Sequence, residues 1–600
     1  MTLRISAPTR GVRVRAGVAV LIAGALLLPF ALAAETPSSP TPAVALTPYT
    51  LTWDTSWQQR LDATGQSWLG YYDQSRMLRL RRPEGEVTTM LPDTERSQAP
   101  SGLAMTGLDA GAAVLWRDKF PVKGLYLGRL DEAGESSAAP LKIGDETEPL
   151  ARLELARFGS RLHALWYGEK KSAPDQPQYN LYYRAFDLES SALTPIETLM
   201  PGIYPVWASN PQGGLMVFSW LYNESPRRIA ARFRPAGAEA FGETVTVAEV
   251  GEITPIFNAF RSGERWFAVW VSEREGAWQL EGARSDDEGK TWTAFTFEDL
   301  RDFDIGSISI AANDAGTILI AVDGQPGRAV NRPKSDVRLI RSTDRGETWS
   351  AARSPRPAEI AAGYGARNPI VAIGPEDGQV LLMWEDWREI RVRPYASLSL
   401  DHGETWTQQN VPLPFEPNTN LGLRANPGAL DVRDGRFHLI LLQSPDDAVQ
   451  SARLVEASFG AADLAEFARI AAEHAPPSSD EGLRERVMAY WKAMMEDDYS
   501  ASYALFDPFF RGRNELMMYL RQLGRIKYSD AAIDAVKIDG WRAEVKTRVT
   551  ATIPPFTSKT GEVVSRPPRE VELTEVWLWM GDNWYREYYS EANDVKYTRY

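Results

Sequence analysis

Arginines, carboxylates and aromatic rings crowd the ends of several short β-type runs in this chain. The richest stretch reads Ala366-Arg367-Asn368-Pro369 and then Trp384-Glu385-Asp386-Trp387-Arg388-Glu389. Arg367, Asn368, Glu385, Asp386 and Arg388 therefore belong to one segment the length of a small sheet. Smaller groups of the same kind stand at Tyr71-Tyr72-Asp73, Trp116-Arg117-Asp118, Ile203-Tyr204-Pro205, Val322-Asp323 and Leu423-Arg424-Ala425-Asn426. Guanidinium groups grip carboxylates through paired N–H donors, and carboxylates accept hydrogen bonds or move protons. One such residue alone is simplest as a solvated loop charge. Several of them gathered at one end of a set of sheets make a ligand site.

A repeat positions them. Ser285-Asp-Asp287-Glu-Gly289-Lys-Thr291-Trp292, Ser342-Thr-Asp344-Arg-Gly346-Glu-Thr348-Trp349 and Ser399-Leu-Asp401-His-Gly403-Glu-Thr405-Trp406 are three copies of one pattern. Their glycines step by 57 residues, from 289 to 346 to 403. Ser and Asp side chains bond nearby backbone N–H groups and hold a tight turn. Gly accepts positive φ, and Thr-Trp restarts a strand with a large apolar ring. Eight further Gly turns each lead into an apolar or aromatic run: at Gly65, Gly111, Gly159, Gly213, Gly263, Gly316, Gly378 and Gly435. This recurrence, about fifty residues, is the size of a four-stranded sheet unit. Each unit reads as strand, Gly turn, strand, loop, strand, box turn, strand. Both turn types then lie on one face, and the ligand-type residues lie on the other.

The pattern S-x-D-x-G-x-T-W is the Asp-box, and residues 48–470 resemble the sialidase-like (BNR-repeat) β-propellers. The resemblance implies a mostly β fold of seven or eight blades. It also implies that the box residues hold hairpins, away from the catalytic groups. By the same resemblance Arg117, Arg367 and Arg424 are candidates for a clamp on a substrate carboxylate, with Asn368 and Arg388 beside them. Tyr204 is the candidate nucleophile, and Asp118, Glu385 and Asp386 are the candidate carboxylates. The family's early Arg-Ile-Pro motif has no counterpart; the nearest texts are Arg367-Asn-Pro369 and Arg424-Ala-Asn-Pro427. The leading expectation is a propeller that binds a glycan or cell-envelope ligand. The alternatives are an exo-glycosidase of the sialidase type and a scaffold for protein partners.

The ends add context. Arg4, Arg10, Arg13 and Arg15 precede an apolar run and Ala31-Leu-Ala33, so residues 1–34 read as an export signal of a bacterial periplasmic or secreted protein. Residues 35–47 read as a Pro-rich linker, and Tyr49–Trp53 as a strand that closes the ring. Residues 471–480 read as a second linker. In 481–600, Leu483, Val487, Tyr490, Trp491 and Met494 recur at helical spacing, and alternating strands follow. That order resembles a small NTF2-like (SnoaL-like) α+β cone, an accessory module that offers a protein partner a surface. The chain has no cysteine, which excludes disulfides and thiolate chemistry. Its net charge is −14, which argues against nucleic acid and anionic membrane surfaces. The four histidines are scattered without metal-ligand spacing, and no phosphate loop suggests a cofactor.

Overall fold

The structure is a computed structural model. It describes residues 43–588, apart from 49–50, 53–54, 83–84, 86, 90–101, 119–123, 137, 145–147, 171–177, 328–334, 415–418, 427, 446–450, 524–525 and 558–559. The expected export signal and most of the first linker lie outside the described residues.

Seven of the eight Gly turns join the first two strands of a sheet, Gly435 joins Leu430–Arg433 to Arg436–Pro445 in the last, and all eight glycines have positive φ. The result is a chain of eight successive antiparallel sheets. Their first strands are Trp57–Leu61, Leu103–Gly107, Glu148–Phe158, Ile203–Ser209, Ile253–Ser262, Phe303–Ala312, Ala366–Ile373 and Thr419–Gly422. Among the described residues, six of the eight are four-stranded meanders, the sixth sheet has three strands and the eighth has five. The fifth strand of the eighth sheet comes from the other end of the chain: Ala43–Ala45 pairs with Arg453–Phe459, Ala43 opposite Ala457. This pairing lies inside the stretch read as linker; of the expected strand Tyr49–Trp53, residues 49, 50 and 53 lie outside the described residues, and Leu51 makes a bridge to Ala452. A helix, Ala461–Glu473, also runs into the expected second linker and packs Leu464 and Phe467 onto the eighth sheet's core.

The boxes are built as their residue types require. In all three the Ser hydroxyl accepts from the Gly N–H, at 2.8, 2.8 and 2.9 Å. The Asp carboxylate accepts from the Thr N–H at 2.9, 3.0 and 2.8 Å. It also accepts from the Thr hydroxyl at 2.7, 2.6 and 2.6 Å. These bonds outweigh partial burial and pull Asp344 and Asp401 down to about 2. Each box glycine faces the preceding sheet. A Cβ on Gly289 would meet Met216, one on Gly346 would meet Phe267, and one on Gly403 would meet Leu339. Trp292 sets its ring edge-on to Phe218 at 5.5 Å, and Trp349 meets Phe295 and Phe297 at 5.4 and 5.2 Å. The box is thus a clamp between neighbouring sheets as well as a turn.

After the sheets come four helices, Glu481–Met495, Tyr499–Ala504, Pro508–Arg513 and Leu516–Gln522. A four-stranded antiparallel sheet follows, in the order Lys527–Asp539, Arg542–Thr552, Arg569–Trp579, Trp584–Arg586. The five residues expected on one helix face, Leu483 to Met494, are buried. Its interior is occupied by its own rings, among them Tyr490, Trp491, Phe506, Phe510, Tyr519 and Trp577. Glu575, fully buried there, accepts from Trp491 Nε1 at 2.6 Å, Thr547 Oγ1 at 2.6 Å and Arg586 Nε at 3.1 Å. This region docks on the seventh sheet: Ile390, in the hairpin between Val380–Glu389 and Arg391–Ser399, is buried with Phe509, Leu578 and Met580.

The clamp can be tested at Gly346. Its φ is +73° and an added Cβ would come within 2.7 Å of the Phe267 ring. Gly346→Ala is expected to cost about 2–4 kcal/mol in chemical denaturation, from backbone strain plus overpacking. Gly276→Ala, at φ +80° with open space around it, isolates the strain and is expected to cost about 1 kcal/mol.

Candidate functional site

At the end opposite the turns, the first strands of the sheets share a distortion. Pairing slips between Pro149 and Leu153, Ile203 and Val206, Ile253 and Phe257, Ile305 and Ser307, and Arg367 and Ile370. Five consecutive sheets, the third to the seventh, therefore carry a bulge at the start of the first strand. Bulges re-aim side chains. Three of these hold a non-glycine residue at positive φ: Arg152 at 114°, Tyr204 at 53° and Asn368 at 51°. Backbone held this way costs energy and concentrates at sites that bind.

The Asn368 bulge faces Glu385. Arg367 and Glu385 are direct cross-strand partners, which puts their side chains on one face of the sheet. Glu385 is 4 % exposed. Asn368 Nδ2 donates to its Oε2 at 2.7 Å. The Leu423 N–H donates to its Oε1 at 2.7 Å, and Arg424 Nη1 lies 3.5 Å from the same oxygen. One carboxyl thus ties the seventh sheet to the lead of the eighth. Burial outweighs Arg424, Asn368 and Leu423, and with the Asp323 charge nearby it pushes Glu385 up to about 7. Arg424 remains partly open to solvent.

Asp386 and Arg388 go elsewhere, because successive residues of a strand point to opposite faces. Asp386 is fully buried and accepts from Trp384 Nε1 at 3.0 Å, and from Arg388 Nε and Nη2 at 2.9 and 2.7 Å. Arg356 completes the network at 3.2 Å and also reaches Asp336 at 2.9 Å. Despite burial, the Arg388 bonds hold Asp386 below the usual carboxylate range. Arg388 also lies 4.3 Å over the Tyr395 ring. This pair braces the approach to the seventh sheet.

Tyr204 and Arg117 belong to a different group, on the second to fourth sheets. Arg117 is 6 % exposed and sits at the end of Ala112–Asp118; the Asp118 side chain lies outside the described residues. Tyr204 stacks on Trp220 at 6.2 Å with the rings 7° from parallel. Its phenol neighbours Tyr167, which also feels Arg152, Tyr179 and Arg117. The carboxylates named as its partners, Glu385 and Asp386, lie three sheets further along the chain. Arg152 and Glu154 were not singled out from the sequence. Arg152 Nη2 donates to the Phe257 carbonyl at 2.9 Å, linking the third sheet to the fifth. Burial raises Glu154, which faces Arg152 and Arg60. Nothing local marks this pair, because the strand Glu148–Phe158 also carries Glu148 and Arg157.

The histidines sit in unrelated places. His163 Nδ1 meets the Tyr183 hydroxyl at 2.7 Å, and burial with Arg234 nearby lowers it to about 3. His402 meets Thr317 at 3.1 Å, His438 meets Glu456 at 3.2 Å and His474 meets Asp582 at 3.0 Å.

No protein-family model matches the chain, and no curated protein matches it. Among solved structures it is similar to an ulvan lyase described as a new family of polysaccharide lyase: 12% identity, 62% of this chain, 95% of that chain, TM-score 0.39. It is similar to a Hadza microbial sialidase at 12% identity, covering 57% of this chain and 74% of that chain, TM-score 0.29. It is also similar to a mutant Trypanosoma rangeli sialidase displaying trans-sialidase activity, at 10% identity, 70% of each chain and TM-score 0.28.

Glu385 makes stability depend on pH. Its folded value of about 7 stands above that of an ordinary glutamate, about 4.5. The folded state holds that proton more tightly, so the contribution is complete below about pH 4.5 and is lost as pH rises through about 7. Between pH 4.5 and 8.5 the native chain is expected to lose roughly 3 kcal/mol more than Glu385→Gln. Urea denaturation of both proteins at the two pH values measures the difference.

Proposed function

We propose that this chain is an exported, eight-bladed propeller that binds a glycan on the face opposite the Asp-box turns. Residues 481–600 would form an NTF2-like accessory domain. The observation that carries the reading is Glu385 with Asn368 and Arg424. These are convergent polar groups, from two adjacent sheets, at the end where the inner strands bulge. A carboxyl that titrates near pH 7 donates or accepts hydrogen bonds as a hydroxyl-rich ligand requires. Arg424 supplies fixed, partly exposed donors next to it. Binding is therefore expected to change with pH around neutrality.

One observation favours a second reading, an exo-glycosidase. The titration of Glu385 is also that of a general acid or base. Asp386, bonded to Arg388 and paired with Arg356, is tied up as a brace, which weighs against the sialidase form of that chemistry.

The test is a panel of immobilised glycans probed with purified protein, native and Arg424→Ala. Saturable binding to a glycan, weakened about tenfold or more in the variant, is the expected result. A folded protein that retains no glycan overturns the proposal. A fluorogenic sialoside run beside the panel separates the second reading. Turnover that disappears in Glu385→Gln makes this an enzyme.

A further inference from the structure

The region after the sheets holds two arginines that share one aromatic ring and meet no carboxylate. Arg486 lies on the helix Glu481–Met495, Arg511 on Pro508–Arg513, and Tyr585 on the last strand, Trp584–Arg586. The guanidinium carbon of Arg486 stands 5.1 Å from the centre of the Tyr585 ring, and that of Arg511 stands 5.5 Å from it. Both Nε atoms are buried, and among the described residues neither has a hydrogen-bond acceptor. An N–H taken out of water without an acceptor is costly, and one on a charged group more so.

The neighbours do not relieve that cost. Burial holds Arg486 below the ordinary arginine range, and the Arg511 charge adds to the effect while Tyr585 acts the other way. A ring face attracts a cation but does not replace an oxygen acceptor. Glu515 acts with Arg511 on the Tyr503 phenol, yet it is exposed, and among the described residues no ion pair joins it to Arg511. Other arginines of this region are matched: Arg484 with Asp480 at 2.7 Å, Arg548 with Asp534 at 2.9 Å and Arg586 with Glu575 at 3.1 Å.

The pair is also placed where a ligand can reach it. Tyr585 is the cross-strand partner of Leu578, and it packs beside Ile390, Phe509, Leu578 and Met580, where this region meets the seventh sheet. Its strand is the edge of its own sheet. The two arginines therefore stand at a rim, outside the ring-filled interior, and Arg486, Arg511 and Tyr585 each keep part of their surface open.

We propose that Arg486, Arg511 and Tyr585 form an anion site that takes a tetrahedral oxyanion, phosphate or sulfate, free or carried on a sugar. A tetrahedral group offers oxygens in several directions, so guanidinium groups from two helices can share it. A carboxylate has two oxygens in one plane and suits one of them. The site is independent of the glycan reading of the sheets' far face.

Isothermal titration of the full chain with inorganic phosphate, inorganic sulfate, glucose 6-phosphate and acetate, at constant ionic strength, tests this. Phosphate or sulfate is expected to bind saturably, and acetate about tenfold more weakly or less. Tighter binding of glucose 6-phosphate than of phosphate identifies a phosphorylated sugar as the ligand, and equal binding identifies the oxyanion alone. Arg486→Met and Arg511→Met keep an apolar stem on Tyr585 and remove the charge. Each is expected to weaken phosphate about tenfold. Each is also expected to melt no lower than native in buffer free of these anions, because repulsion is relieved, and to gain less than native when phosphate is added. An arginine with a structural role alone predicts a lower melt and an equal gain. Native and variant are compared because phosphate stabilises folded proteins in general. If neither variant folds, the contrast between phosphate and acetate in the native chain decides. Equal binding of acetate and phosphate, an affinity unchanged in both variants, or no binding by the folded native chain overturns the proposal. Residues 589–600 lie outside the described residues. A response seen only when Glu591→Gln and Asp594→Asn are combined gives the site to the chain's own carboxylates and also overturns it.

Discussion

Everything in this molecule depends on sheet lying against sheet. There is no cysteine to cross-link them, so contact between neighbouring sheets has to be close and apolar along the whole series. The box glycines let it be close. At 289, 346 and 403 the missing side chain leaves room for Met216, Phe267 and Leu339 of the sheet before. The hydrogen bonds of Ser and Asp fix the turn so that its tryptophan covers the same seam. Arginine–carboxylate pairs such as Arg265–Glu347 and Arg341–Glu404, both at 2.7 Å, run along the exposed side of these seams. They add little, because water screens them. Packing carries the stability, and the turns set the spacing that packing needs.

The far end of the sheets is thereby free to be irregular. Bulges interrupt five inner strands there, and polar groups that packing alone would reject are brought in under hydrogen-bond control. Glu385 and Asp386 show how finely this is divided. They are adjacent in sequence, yet one is held near neutrality by burial with modest compensation, and the other is locked in its charged form by two arginines. The strand's alternation separates a responsive group from a permanent brace.

This division explains what could be read beforehand. The eight glycine turns were legible because each is a local event: a residue without Cβ at positive φ, followed by an apolar run. The helix bearing Leu483, Val487, Tyr490, Trp491 and Met494 was legible for the same reason. Glu385, Asn368 and Arg424 could be named because they flank strands, but Asp386 and Arg388 carried the same signal. Only their partners Trp384 and Arg356 separate the two sets. Arg152 and Glu154 lay unnoticed inside a strand, since nothing local marks a residue whose hydrogen-bond partner, Phe257, is a hundred positions away. The closing strand Ala43–Ala45 is three small residues whose structure exists only against Arg453–Phe459.

That closing strand has a consequence for timing. Thr47 Oγ1 accepts from the Leu454 N–H, across 407 residues of sequence. At ribosomal speeds of about 5–20 residues per second, the two ends of this contact emerge roughly 20–80 seconds apart. Ala43–Ala45 must therefore wait, unpaired, while nearly all the rest is made. An open β edge is an invitation to the wrong neighbour. Ala43-Val44-Ala45 is short and weakly hydrophobic, a segment that gains little from any partner except the one it is built to meet.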